Sequence, residues 1–414
     1  MNNRRVVITG LGTICPIGSN LKDFWSNLTA GKTGIGLIER FDTTDYPTKI
    51  AAEVKDFNAK EYMPRTEARR MDLFIQYACA GTRLALEDAN LNSDKFDPNR
   101  TGVLVGAGVG GLEALEKQHS ILQKKGVGGI SPFFIPMFIP NMASGQISIM
   151  FGARGPSSCS VTACATATNS IGDAFKLIQN NSVDVMICGG TEAPITPLSI
   201  AGFCSMKALS TRNDEPEKAC RPFDVDRDGF VMGEGSAVFI IEELEHALNR
   251  GAQIYAEIIG YGSSSDANHM VQPDPEGEGA ARAMTMALND ANLNPEDVNY
   301  INAHGTGTHF NDIVETKAIK TVFKEHSYNM AISSTKAATG HMMGAAGAIE
   351  LLATVLSCKN DLVPPTLNLD NPDPECDLNY VKNESKQTSI TSAISQSLGF
   401  GGHNAVVAIK KFVQ

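Results

Sequence analysis

Three residues in this sequence have the type and setting that chemistry needs. Cys164 lies where "SVTACATATNSIGDAFKLIQN" passes from β-branched residues into a helical pattern, with Ile171, Ala174, Phe175 and Ile178 recurring at i, i+3, i+4 and i+7. A free thiol is only a few per cent thiolate near neutral pH, and the positive end of a helix favours the anion, so this position predicts a nucleophile of lowered pKa. His304 follows an apolar run and stands among glycines and threonines in "VNYINAHGTGTHFND". His341 opens the nearly all-apolar stretch of "SSTKAATGHMMGAAGAIELLATVLS", the pattern of a buried helix. Each of the three, taken singly, reads more often as a packed structural or loop residue. A helix-mounted thiol together with two imidazoles at the ends of apolar elements points instead to a nucleophile with imidazole partners.

The elements that must position them alternate along the chain. Strand-like runs occur in "RRVVITG", "TGVLVGAG", "VDVMICGG", "SAVFIIEE", "YAEIIGYG", "VNYINAHG", "AISSTK", "SAISQSLGF" and "NAVVAIKK", with helical patterns between them, which predicts an α/β fold. "DVMICGG" is followed by "SAVFIIEE" as "SAISQSLGFGG" is followed by "NAVVAIKK", so two similar layered halves are expected, 1–255 and 256–414.

At 414 residues with 42% hydrophobic and 20% charged side chains, the chain can bury a large core. No apolar run approaches the roughly 20 residues of a membrane span, and the start does not read as a cleavable signal, so a cytoplasmic protein without a membrane partner is expected. Nine cysteines without a C-x-x-C pair indicate neither a disulfide framework nor a zinc knuckle. A net charge of -11 argues against nucleic acid, while leaving room for a local basic patch that receives an acidic protein. "PRTEARRMD" supplies one, with Arg65, Arg69 and Arg70 expected on one helical face, although a merely solvated basic face fits the same charges.

Two motifs imitate other functions. Gly106, Gly108 and Gly111 satisfy G-x-G-x-x-G, but no Asp or Glu occurs between Glu116 and Asp173 to hold a ribose hydroxyl. "DVDRDGFVMGEG" has Asp224, Asp226 and Asp228 at calcium-loop spacing, but its twelfth position is Gly235 rather than a bidentate Glu.

The blocks "TACATATNS", "NAHGTGT", "SSTKAATGHMMGAAGAIE" and "LGFGGHN", in this order, resemble the signatures of the β-ketoacyl-acyl-carrier-protein synthases. "RRVVITGLGTICPIG", "GGTEAPITPL" and "RPFDVDRDGFVMGEG" extend the resemblance over essentially the whole chain, nearer to synthase II than to synthase I. It implies the thiolase fold, two βαβαβαββ halves stacked as a five-layer α-β-α-β-α sandwich, and a homodimer. It also implies an acyltransferase that loads an acyl chain on Cys164 and condenses it with malonyl-acyl-carrier protein, without a cofactor.

By the same resemblance His304 and His341 face the malonyl group, and the backbone N–H groups of Cys164 and Phe400 form an oxyanion hole, with Gly399, Gly401 and Gly402 allowing close approach. Lys336 and Glu315 correspond to a charged pair behind the histidines, which reads equally well as a structural salt bridge; Asp312 and Glu350 are supporting residues. Val109 and Phe203 correspond to acyl-tunnel positions, Phe400 to a gate, and Thr306 and Thr308 to substrate contacts. Arg65, Arg69, Arg70 and Lys207 correspond to carrier-docking positions, and Asn302, Glu350 and Ser395 to a monovalent-cation site.

His309, Phe310, Gln396, Val271 and Gln272 depart from the common pattern around the carrier-arm tunnel and that cation site. A thiolase would need a second cysteine in the C-terminal glycine block, and "GFGGHN" has none. A polyketide-type ketosynthase shares every feature; a non-catalytic chain-length partner subunit would lack the nucleophile.

Overall fold

The computed structural model describes residues 4–92 and 95–413. Ten strands form its main sheet: β1 (Val6–Ile14), β2 (Thr101–Gly106), β3 (Ser157–Ser158), β4 (Val185–Glu192), β5 (Gly235–Glu243), β6 (Ala256–Ser265), β7 (Tyr300–Asn302), β8 (Ala331–Ser333), β9 (Ser392–Gly399) and β10 (His403–Lys411). Their order is β8-β7-β9-β10-β6-β1-β5-β4-β2-β3. Read outward from β1 and from β6, the two flanks have the same plan. β1-β5-β4 is antiparallel and continues through β2 and β3 in parallel; β6-β10-β9 is antiparallel and continues through β7 and β8 in parallel. The flanks meet where Val6, Val7 and Ile8 of β1 pair antiparallel with Ile258, Glu257 and Ala256 of β6.

Eight helices position the site: α1 (Leu73–Asp88), α2 (Leu112–Lys125), α3 (Met142–Phe151), α4 (Thr166–Gln179), α5 (Pro197–Ser205), α6 (Glu278–Ala291), α7 (His309–Phe323) and α8 (Ala346–Asn360). α4 and α8 lie between the two flanks, with Ile171, Phe175, Ile349 and Leu352 in one buried cluster with residues of both. α1 and α3 cover the outer face of the first flank and α6 and α7 that of the second. This is the expected five-layer order. In each flank one outer helix lies directly on a glycine pair: a Cβ on Gly10 or Gly12 of β1 would meet the Ala85 or Gly81 carbonyl oxygen of α1 at 2.3 or 2.1 Å, and one on Gly260 or Gly262 of β6 the Ala287 or Ala283 oxygen of α6 at the same distances. The internal repetition therefore reaches down to which positions lack a side chain.

α4 shows why the helical spacing was informative. Ile171, Ala174, Phe175 and Ile178 are all at 0–1% exposure, and each large apolar side chain so buried contributes about 1.5–3 kcal/mol. α8 is buried along nearly its whole length, as its composition requires. Among the described residues no helix is long and apolar enough to cross a membrane.

Candidate active site

Cys164 stands in a single 3₁₀ turn, Ala163–Ala165, that feeds directly into α4. Ala163 before it has φ +50°, a conformation an alanine adopts at a cost of about 1–3 kcal/mol, so the surroundings must hold the turn. They do so through Thr162, whose N–H donates to Thr166 Oγ1 at 2.8 Å and whose hydroxyl donates to Asn169 Oδ1 at 2.7 Å. From the other side comes the end of β9. A Cβ on Gly399 would lie 2.8 Å from the Thr162 oxygen and 3.2 Å from the Cys164 nitrogen, and the Phe400 N–H donates to the thiol. Gly401 and Gly402, with φ +84° and +74°, serve the turn into β10 rather than the approach to the thiol.

The thiol is not the low-pKa group that its place before a helix predicts. Burial pushes Cys164 up to about 11, and the Lys336 charge and the Phe400 N–H offset only part of this. The expectation weighed the helix end and could not weigh the desolvation.

Both histidines approach this sulfur. The Cys164, His304 and His341 ligand atoms all lie within 4.8 Å of one another. His341 Nε2 is 3.1 Å from Cys164 Sγ, and the two imidazole centroids are 5.3 Å apart with planes at 86°. Each ring is oriented through its other nitrogen. The Met343 N–H donates to His341 Nδ1 at 3.3 Å, and Lys336 Nζ stands 3.3 Å from His304 Nδ1 as its donor. An imidazole that accepts at Nδ1 carries its proton on Nε2 when neutral, so both rings present an N–H toward the same space. They stay neutral: burial first, then the Lys336 charge, hold both pKa values well below the ordinary 6.5. A buried Cys-His-His set also invites a metal reading, but the Lys336 ammonium against His304 opposes a divalent cation there.

The support behind the histidines differs from the expected pair. Lys336 is ion-paired with Glu350 of α8, both at 1% exposure, and also donates to the His304 carbonyl. Glu315 does not touch it. Its carboxylate accepts the N–H groups of His304 at 2.5 Å and Gly305 at 2.7 Å and the Gln396 amide at 2.5 Å, clamping the His304 loop to α7 and β9. Asp312 holds the continuation of that loop through Gly307 and Phe223. His341 is fixed by main-chain bonds to Val231 and Gly233 and by Phe230, whose ring meets the imidazole edge-on at 5.1 Å.

A cavity of about 340 Å³ opens onto the triad, lined by Phe203, Lys207, Thr306, Thr308, Phe310 and Phe400, with Val271, Gln272 and His309 also on its wall. It runs from exposed Lys207 and Phe310 to buried Cys164. Val109 is not among its lining residues. The basic segment also differs from expectation: the helix there is one turn, Arg65–Ala68, so Arg69 and Arg70 lie beyond it. All three arginines are exposed, and Arg70 stacks 4.9 Å over the Phe133 ring. In the calcium-like loop Asp224 is instead paired with Arg221 at 2.9 Å and caps the N–H groups of Asp226, Asp370 and Asn371.

Among the described residues, Asn302 Oδ1, Glu350 Oε2 and Ser395 Oγ are buried without a hydrogen-bond partner. Asn302 and Ser395 are register partners across β7 and β9, and Asn302 donates to the Glu350 carbonyl at 2.9 Å. Neighbouring oxygens of this kind, one from a carboxylate, fit a hard cation. Residues that pattern reading passed over are Phe230, Asn169 and Glu192; the last stood within the quoted "GGTE" block without a role.

Two like halves in five layers, meeting at a cysteine and two histidines, define a thiolase-fold condensing enzyme. Residues 3–247 match the family described as Beta-ketoacyl synthase, N-terminal domain, and residues 255–370 its C-terminal domain. The chain is 54% identical over 412 residues to the 3-oxoacyl-[acyl-carrier-protein] synthase 2 of Synechocystis sp., covering 100% of this chain and 99% of that one. It is 53% identical over 410 residues to the synthase of the same name from Staphylococcus aureus, covering 99% of each. Among solved structures, a Beta-ketoacyl synthase from Burkholderia phymatum superposes with TM-score 0.93 at 34% identity, over 99% of this chain and 100% of that one. A type II PKS acyl-carrier protein complexed with its hexaketide-bound ketosynthase does so with TM-score 0.92 at 35% identity, over 100% of both. The chain belongs to the β-ketoacyl synthase family.

Proposed function

We propose that this protein is a 3-oxoacyl-[acyl-carrier-protein] synthase of fatty acid elongation, with Cys164, His304 and His341 as its catalytic residues. The observation that carries the reading is the convergence of two buried imidazoles, each facing a donor at Nδ1, on one buried thiol at the end of a cavity. In the first half-reaction Cys164 Sγ attacks the acyl thioester of the carrier. The tetrahedral oxyanion is held by the Cys164 and Phe400 N–H groups, and the C–S bond to the carrier breaks as the cysteine proton leaves with the released thiol.

In the second, malonyl-carrier protein enters and its carboxylate departs as CO₂. The enolate oxygen is held by the His304 and His341 Nε2–H donors, which gain strength as charge develops in a dry site. The enolate carbon then attacks the acyl-cysteine carbonyl, forming the C–C bond and expelling the Cys164 thiolate, which takes up from solvent the one proton the reaction consumes.

Lys336, paired with Glu350, and Glu315 orient His304; Asn302, Glu350 and Ser395 would hold a monovalent cation, adding positive charge beside that pair. Thr306, Thr308 and Phe203 serve the carrier arm and acyl chain, with Phe400 as gate; Val109 is kept as an acyl-tunnel residue on the resemblance alone. The nucleophile belongs to a half spanning 1–255 and the histidines to one spanning 256–414. The partner is an acyl carrier protein in acyl and malonyl forms, docking near Arg65, Arg69, Arg70 and Lys207; the working unit is a cytoplasmic homodimer. The likeness to a polyketide ketosynthase keeps that pathway as a second reading with the same mechanism.

Cys164→Gln tests the core of this. Its amide mimics an acyl-cysteine but cannot be acylated, so condensation should vanish while ¹⁴CO₂ release from malonyl-carrier protein persists or rises. Adding His341→Ala should lower that release by about 10²-fold or more, the scale of losing one oxyanion donor. Condensation by the single variant, or undiminished release by the double, refutes the assignment.

A further inference from the structure

The loop after β2 carries glycines at dinucleotide-fingerprint spacing, and its N–H groups are already occupied. Glu192, the last residue of β4, is fully buried. Its Oε1 accepts the N–H groups of Val109 at 3.1 Å and Gly110 at 3.2 Å, and its Oε2 those of Gly108 at 2.8 Å and Gly344 at 2.9 Å. Such a nest of main-chain donors is an anion site, filled here by the protein's own carboxylate. The fourth donor comes from the other side of the active site, since Gly344 lies in the turn Met343–Ala345 just after His341. No side chain separates the two segments: a Cβ on Gly344 would lie 2.3 Å from the Gly108 nitrogen.

Met343, between His341 and Gly344, has φ +48°, a conformation that persists only where neighbours enforce it. Its N–H is the donor to His341 Nδ1. His304 differs, because its Nδ1 faces Lys336 instead.

We propose that Glu192 is a positioning residue for the condensation: by anchoring Gly344 it keeps the Met343 N–H on His341 Nδ1, and so keeps the His341 proton on Nε2, facing the substrate. The proposal rests on the catalytic reading above and deepens it.

The test uses full-length protein labelled with ¹⁵N-histidine, whose ring-nitrogen shifts report each tautomer independently of activity. In Glu192→Ala the Nδ1–H form of His341 should appear beside the Nε2–H form, with His304 unchanged as internal control. Placed in the Cys164→Gln background, Glu192→Ala should lower kcat for CO₂ release about tenfold or more, with KM for malonyl-carrier protein little changed. Glu192→Gln can keep its amide oxygen on the two shorter bonds, to Gly108 and Gly344, so it should retain a single His341 tautomer and release CO₂ within about threefold of its parent.

If Glu192→Ala does not fold, Glu192→Asp, whose carboxylate is drawn back by one methylene, carries the same expectation. A single Nε2–H form of His341 in the Ala or Asp variant, or a Gln variant as impaired as Ala, overturns the proposal. Absence of CO₂ release in the Cys164→Gln parent would instead count against the catalytic reading, and the tautomer spectrum would still judge the clamp.

Discussion

At the residue, the site runs on neutral groups. The thiol is raised to about 11 and both imidazoles are lowered, all three by burial above any other cause. The sign of each shift gives a pH profile. Only thiolate is alkylated, and a raised pKa leaves little of it at neutrality, so iodoacetamide labelling of Cys164 should climb about tenfold per pH unit from pH 7 to 9. A plateau already reached at pH 7, measured by intact mass, would contradict the burial argument. On the proposed mechanism the neutral imidazole is the competent form, and burial keeps both rings neutral to well below pH 6.5. CO₂ release by the Cys164→Gln variant should therefore stay flat from pH 8 down to 6.5, where histidines of ordinary pKa would lose about half. The residue types of this triad were legible from their settings, but neither tautomers nor pKa values were. A main-chain N–H on Nδ1 and the burial of all three groups leave no mark in a sequence.

At the level of elements, the end of β9 and the Cys164 turn are pressed backbone to backbone, and Gly399 is the point of contact. Gly399→Ala should destabilise the protein by about 1–3 kcal/mol through overpacking and slow acyl loading of Cys164 more than alkylation by a small reagent. Parallel loading and iodoacetamide assays check this; equal slowing of both would mean a general loosening.

Nine strand-like runs in the sequence became nine of the ten strands here, since apolar runs bounded by glycines are what a sheet buried on both faces demands. β3 was missed because "GPSSCS" carries no such signal; the pair Ser157–Ser158 is exposed and is a strand only because Val103 and Leu104 offer it a parallel register. The basic segment was read as too long a helix. Asp72 caps α1, with its side chain accepting from the Phe74 N–H at extended backbone angles, so the chain must leave the helical conformation before it. Lys336 pairing with Glu350 rather than Glu315 was equally invisible, since α8 and α7 bring both carboxylates near the histidines and only the packing selects one.

On the scale of the whole molecule, a net charge of -11 would repel an acidic carrier unless positive charge is local. Arg69 is exposed and, among the described residues, lies over no aromatic ring as Arg70 does, which makes it the cleaner probe. Arg69→Glu should raise the KM for acyl-carrier protein several-fold, about tenfold when Arg65 is reversed too, with a shallower salt dependence and unchanged turnover of small acyl thioesters. Equal losses with carrier and small thioester would remove this face as the docking site.

The place of β1 has a consequence for how the molecule is made. β1 sits at the centre of the sheet, and its two neighbours are synthesised long after it: β5, from Gly235, and β6, from Ala256. Until those are synthesised its edges have no native partner, and contacts of such sequence separation form slowly. Nascent chains that stop short of β6 thus expose a hydrophobic strand edge suited to pairing with another copy. A chain truncated after residue 255 should aggregate where the complete chain refolds, as light scattering during dilution from denaturant would record, and production of this protein should be unusually sensitive to loss of the chaperones that shield unpaired strands.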